Sequence, residues 1–403
     1  MVDDLTRTIA RKALPRGVVA LGLVSLFNDI SSEMIHGLLP VFLVSVLGAG
    51  TVMVGLIEGL GEAVASITKL FSGMFSDSMG QRKPLVVAGY SLATLSKPMF
   101  ALAPAAGWVL GARIADRIGK GIRGAPRDAL IGDIAPPEMH GAAYGLRQSL
   151  DDIGAVIGPL IAMALMWASG DNFRLVFWVA LVPGLAAVTL LILYVDEPAE
   201  KRAPGKERPR TDWRAIGQLG GAFWAIVAAG GVLTLARFSL AFIILRAQDR
   251  GLALALIPMV LILVHLVSSF ASYPMGLLAD RANKRVLLVA GFVVLIAADV
   301  VLALGQGLGA IMFGVGLWGL HLGVSQGLLS ALVAETAPMQ LRGTGFGVFN
   351  LVNGLTLLLA SLIAGVVWQH FGPAATFGAS AAVAGAGLVS FLLVAARQGK
   401  SET

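Results

Sequence analysis

Apolar runs near 20 residues recur along the whole chain, from 17–47 to 374–396. Each is long enough to cross a hydrocarbon core about 30 Å thick. Backbone placed in lipid must satisfy its own polar groups, which leaves helices and closed barrels, and runs of this length select helices. The reading gives spans at 17–47, 52–76, 84–104, 107–135, 142–168, 172–195, 214–247, 252–278, 285–305, 308–337, 344–369 and 374–396. The expected fold class is therefore an all-α membrane protein with twelve transmembrane helices. Composition agrees, since 57% of the 403 residues are hydrophobic and only 13% are charged; soluble domains carry about twice that charge.

The distribution of Lys and Arg sets the topology. Eighteen of the 30 fall in tails and loops on one side, whereas the opposite loops hold only Arg174, Arg246 and Arg250. The positive-inside rule then puts both termini in the cytoplasm, and the membrane expected is a bacterial inner membrane. The expected organisation is a cytoplasmic segment 1–16, a six-helix bundle 17–195, a cytoplasmic linker 196–213, a second bundle 214–396 and a tail 397–403. Span 1 lacks a convincing cleavage site and reads as retained. Topology explains the net charge of +6, so no nucleic-acid partner is expected. With no Cys, disulfides and thiolate chemistry are excluded. No phosphate-binding loop is present, so no ATP-driven pumping, cofactor or enzymatic activity is expected, and nothing points beyond a monomer in the bilayer.

Span 4 is the exception to apolarity. It carries Arg113, Arg117, Lys120, Arg123 and Arg127, whose spacings of 4, 3, 3 and 4 place all five on one helical face. Ionisable groups at membrane depth face a bundle interior or an aqueous cavity, and mark function. Span 2 stacks Glu58, Glu62 and Lys69 on one face, which suits neutralisation of the span 4 cations. Acids and cations are nearly balanced in the first half, as in an ion-pair network.

The halves repeat. GMFSDSMGQRK from Gly73 is matched by GLLADRANKR from Gly276, and APPEMHGAAYG from Ala135 by APMQLRGTGFG from Ala337. Two parallel six-helix repeats suit a transporter whose site lies between the halves near the midplane. On these motifs the chain resembles the major facilitator superfamily over essentially its whole length. Gly73, Asp77, Gly80, Arg82 and Lys83 match the family's loop 2–3 signature, Arg113 and Gly119 its span 4 signature, and Gly154, Gly158 and Pro159 its span 5 G-x-x-x-G-P motif. Ser78 replaces a basic residue usual after the Asp, Asn283 a Gly in the second loop copy, and Ala162 a later span 5 Gly. The resemblance implies alternating access. It also implies a cytoplasmic latch from Gly73, Asp77, Arg82, Lys83, Asp280 and Arg281, a role for Arg113 in proton movement, and antiport with export.

In span 1, Asp29 and Glu33 share one face. Two carboxylates close together in a low-dielectric wall are candidate proton carriers. Glu62 joins them as a proton-coupling candidate at mid-depth. Aligning the halves sets Arg237 opposite Met34, so a bridge from Glu33 or Asp29 to Arg237 is expected across the cleft. Asn28, Arg117, Lys120, Arg147, Gln148, Arg237, Asn350 and Asn353 are the polar candidates for contact with a small organic solute, amphiphilic or bearing an acidic or zwitterionic group. Span 5 also carries Asp151 and Asp152 beside Arg147 and Gln148. The alternative is a divalent metal or metal chelate held by Asp29, Glu33 and His36, although a seven-residue separation is a rise of roughly 10 Å. Proton-driven export of an organic solute is the favoured reading.

Overall fold

The structure is a computed structural model and describes residues 14–79, 81–136, 139–197, 217–281, 284–338 and 341–401. Among these residues there is no strand. The principal helices are α1 (Arg16–His36), α2 (Thr51–Met79), α3 (Lys83–Leu95), α4 (Ala106–Ile134), α5 (His140–Ser169), α6 (Leu181–Tyr194), α7 (Gly221–Leu235), α8 (Met259–Arg281), α9 (Lys284–Leu304), α10 (Leu308–Thr336) and α11 (Arg342–Ser401).

Local chemistry explains the interruptions. Beyond α1 the chain restarts at Leu39–Val41, with Pro40 in the first turn, where its missing N–H costs nothing, and then passes into a π-helical stretch, Phe42–Val46. Beyond α3 it restarts at Lys97–Ala101, with Pro98 in the first turn. The short helix Phe173–Val179 leads into α6, capped by Asn172, whose side chain accepts from the Leu175 amide at 3.1 Å. A further short helix, Ala241–Asp249, follows α7 after an interruption at 236–240. α11 is broken at Gly372, whose φ of 82° glycine adopts readily, and Pro373 starts its second arm.

Nine stretches of the described residues are long and apolar enough to cross a membrane. Two expected spans are missing from that set for physical reasons. Span 3 is divided at Ser96 into pieces too short to qualify, and span 4 carries too many charges. Expected spans 11 and 12 fall in one stretch, Thr344–Leu392, on either side of Gly372. Most of the linker expected at 196–213 lies outside the described residues, as do residues 1–13.

The packing repeats as the sequence does. α1 lies on α5, α2 on α4 and α3 on α4; in the second half α7 lies on α11, α8 on α10 and α9 on α10. Between halves, α2 runs along α11 and α5 meets α8. At Gly158 an added Cβ would stand 2.7 Å from the Ile30 carbonyl, so only glycine allows α5 this close to α1; Gly154 meets the Leu26 carbonyl in the same way. Pro159 sits within α5 without ending it.

Candidate functional site

Two cavities adjoin along α1 and α4. The larger, about 400 Å³, lies between the halves. Its first-half wall is charged, with Glu33, His36, Glu58, Glu62, Arg113, Arg117 and Lys120. The second-half wall is largely apolar, including Phe238, Leu240, Ile244, Leu261, Trp318 and Leu322, with Arg237 and His265 among them. The smaller, about 270 Å³, lies within the first half and is lined by Asp29, Lys69, Asp116, Arg123, Arg127 and Asp151, among others. Glu33, His36 and Lys120 line both.

The span 4 stripe is spent unevenly. Arg113 donates to Glu58 at 2.6 Å and Arg117 pairs with Glu62 at 2.8 Å, so the expected neutralisation by span 2 is formed. Arg123 stacks over the Tyr90 ring, 4.5 Å from its centroid. Arg127 pairs with Asp128 at 3.0 Å and donates to Ser25 at 3.3 Å. Lys120 has no ion-pair or hydrogen-bond partner among the described residues.

His36 is built into this network. Arg117 Nη2 donates to His36 Nε2 at 3.3 Å. A guanidinium only donates, so Nε2 accepts and the neutral ring carries its proton on Nδ1, which faces Glu33 Oε1 at 3.5 Å. Asp116, 3.7 Å from His36, is held by Lys97 at 3.0 Å, and Lys97 donates to Ser32 at 3.2 Å. Asp29 differs from Glu33: it accepts from Asn28 at 3.1 Å and has no cation within 4.0 Å among the described residues.

The expected bridge from Glu33 or Asp29 to Arg237 is not formed. Arg237 lies in the interruption 236–240, not on a continuous helix, so the helical phase that set it opposite span 1 is lost. It lines the central cavity, and its buried Nη1 has no partner among the described residues. The metal reading gains no support: no group of three His, Cys, Asp or Glu among the described residues could hold an ion. Arg117 presents a cation to the ring nitrogen a metal would need.

Other expected residues stand outside both cavities. Arg147 pairs with Asp151 and donates to Gln148 at 2.8 Å, and Gln148 donates to Asp152 at 2.9 Å. Asn353 accepts from Thr234 at 3.2 Å, and Asn350 is exposed. At the loop signature, Arg82 pairs with Asp133 at 2.6 Å, and Lys83 donates to the Ile192 carbonyl at 3.1 Å, both within the first half. The side chains of Asp77, Asp280 and Arg281 lie outside the described residues. Trp318 was not expected. It is 2% exposed, its indole N–H has no partner among the described residues, and it lines the central cavity. The repeat could have found it, because a shift of 202 residues, the separation of Ala135 and Ala337, sets Trp318 on Asp116.

The model of the Major Facilitator Superfamily matches residues 21–361 and 227–403. An uncharacterized MFS-type transporter of Methanocaldococcus jannaschii is 32% identical over 377 residues, 91% of this chain and 92% of that one. Multidrug resistance protein MdtH of Yersinia enterocolitica is 30% identical over 177 residues, 43% of each chain. The crystal structure of a POT family transporter in complex with 5-aminolevulinic acid superposes with a TM-score of 0.79 at 12% identity, covering 96% of both chains. At that identity the likeness is one of fold.

Proposed function

The chain belongs to the Major Facilitator Superfamily, and from that premise we propose that it exports a small organic solute bearing an acidic group, coupled to protons, by alternating access of its two halves. It is a multi-pass membrane protein; the bacterial inner membrane and cytoplasmic termini belong to the same proposal, the termini supported by the Lys and Arg distribution. One observation carries the solute class. Lys120 and Arg237 come from opposite halves, line one cavity, and have no ion-pair partner among the described residues. An anionic group between them would answer both charges and tie the halves together while bound. The apolar wall from Phe238 to Leu322 supports a solute with an apolar body, and about 400 Å³ suits a small molecule. Export is supported by the Gly154, Gly158 and Pro159 motif and by the partial likeness to MdtH.

Asp29 is the proton carrier in this reading, because it alone of the span 1 pair has neither cation nor histidine beside it. Ionised, it competes for Lys120 across the smaller cavity that both line. Protonation releases Lys120. That sign supports a second reading, in which proton and acid travel together, since a proton on Asp29 strengthens the anion site. The experiment is a thermal-shift panel of aliphatic and aryl carboxylates, followed by flux in proteoliposomes under an imposed pH gradient. Stabilisation by a carboxylate, lost in Lys120→Ala and Arg237→Ala, is expected. Solute moving against the proton flux means antiport, and solute moving with it means cotransport. No carboxylate effect on the wild type sinks the solute class.

A further inference from the structure

Apart from the solute cavity, α9 carries a carboxylate that the site does not use. Asp299 is 0% exposed. Its Oδ2 lies 2.6 Å from Ser380 Oγ on the second arm of α11, and its Oδ1 has no hydrogen-bond partner among the described residues. The same Ser380 hydroxyl bonds the carbonyl of Ala236, where α7 stops. A hydroxyl has one proton, and a carbonyl only accepts. The Ser380 proton can serve only one of these two acceptors, so both contacts are hydrogen bonds only if Asp299 supplies a proton of its own.

No counter-ion substitutes for that proton. Of the charged and titratable groups on the surrounding elements, Arg237 adjoins Ala236, Arg246 and His321 bond α9 itself, and Lys284 and Glu335 pair with each other at the start of α9. Arg246 donates to the Leu302 carbonyl at 2.9 Å and the Ala303 carbonyl at 3.1 Å, and pairs with Asp249 at 2.7 Å. His321 Nδ1 donates to the Gly291 carbonyl at 2.8 Å. None comes within 4.0 Å of Asp299 among the described residues. A bare carboxylate at this depth, with no cation, is expensive.

The internal repeat gives an independent argument. The shift of 202 residues sets Asp299 on Lys97 and Trp318 on Asp116. In the first half, Lys97 is 1% exposed and is neutralised by Asp116 at 3.0 Å. The second half keeps an ionisable group at that buried register but reverses its sign, and places an indole where the counter-ion stood. A proton is the counter-charge this half lacks.

We propose that Asp299 is a proton-binding site of the second half, separate from Asp29, that loads and releases a proton during the transport cycle. Loaded, Asp299 donates to Ser380 and Ser380 donates to Ala236. On release the proton passes to water, Ser380 turns its hydroxyl to the carboxylate, and the Ala236 carbonyl loses its donor. Only O–H bonds change. The consequence falls on the interruption of α7, one residue before Arg237, so release loosens the segment that presents the cavity cation. The inference stands whatever solute the cavity takes.

The test needs no solute. Infrared spectra of the full-length protein in lipid vesicles are recorded across a pH titration, in H2O and D2O, for wild type, Asp29→Asn and Asp299→Asn. A protonated-carboxyl band is expected in the wild type and in Asp29→Asn, lost as the pH is raised and missing from Asp299→Asn. A wild type without the band, or the same band in Asp299→Asn, overturns the proposal. So does a band that persists until the protein unfolds, because that proton never leaves. If Asp299→Asn does not fold, Ser380→Ala keeps the acid and removes its partner. Its band is expected to titrate at a shifted pH, and an unshifted midpoint would overturn the relay through Ser380.

Discussion

Arg113 and Glu58 show what single residues do here. Their side chains are 3% and 12% exposed and meet at 2.6 Å. Removing one member of such a pair strands the other, which costs about 3–5 kcal/mol, whereas replacing both with apolar groups of similar size is close to neutral. Arg113→Met is therefore expected to lower stability by about that amount, and Arg113→Met with Glu58→Leu to recover most of it, as read by denaturant melts in detergent. Equal losses in the single and double variants would mean that the pair is not a stabilising unit. Asp29 has the opposite character. Asp29→Asn keeps the shape and the neighbouring Asn28, so folding and solute exchange at equal pH should survive while pH-driven flux is lost. Undiminished pH-driven flux in Asp29→Asn would remove it as the carrier. The sequence showed that Arg113 and Arg117 share a face and that Glu58 and Glu62 share another. It could not show that Lys120 and Asp29 would be left without ion-pair partners among the described residues, because spacing fixes a side chain's angle on its own helix and not its distance to the next.

At the scale of elements, the legible features were those written in periodicity and in punctuation. Apolar runs placed the helices, and Pro40, Pro98 and Pro373 mark where interrupted helices restart. The interruption after α7 carries no proline or φ-positive glycine, so the sequence read straight through it and mistook the phase of Arg237. The Gly154 and Gly158 motif was legible as close packing, and the partner turns out to be α1, the helix that carries Asp29 and Glu33. A larger side chain at Gly158 meets backbone, which cannot turn aside as a side chain would. Gly158→Val is expected to cost about 1–3 kcal/mol or more by forcing α5 from α1. Gly141→Val, at the open start of the same helix with nothing within 4 Å, should change stability far less. Melting temperatures of the two variants decide it: equal shifts would mean that helix propensity, and not the α1 contact, sets the cost.

At the scale of the molecule, the two halves are joined by contacts that must not all be permanent if access alternates. Near the loop after the π-helical stretch, Gln248 of the second half donates to Ser45 of the first at 2.8 Å, and Thr51 donates to the Gly365 carbonyl at 2.9 Å. α2 and α11 also stay in contact along their length, which suits a rocking axis better than a gate. The Ser45–Gln248 contact is exposed and lies at one end of the bundle, so it is the kind of contact that a rocking motion opens. The chain has no cysteine, which leaves a clean background for trapping this end. Ser45→Cys with Gln248→Cys, joined by a short reducible thiol reagent, is expected to stop pH-driven flux. Reductant should restore it, and each single variant should behave as wild type under the same treatment. Full flux through the linked protein would mean that this end never opens, and the two halves would then have to expose their shared cavity by some motion other than rocking.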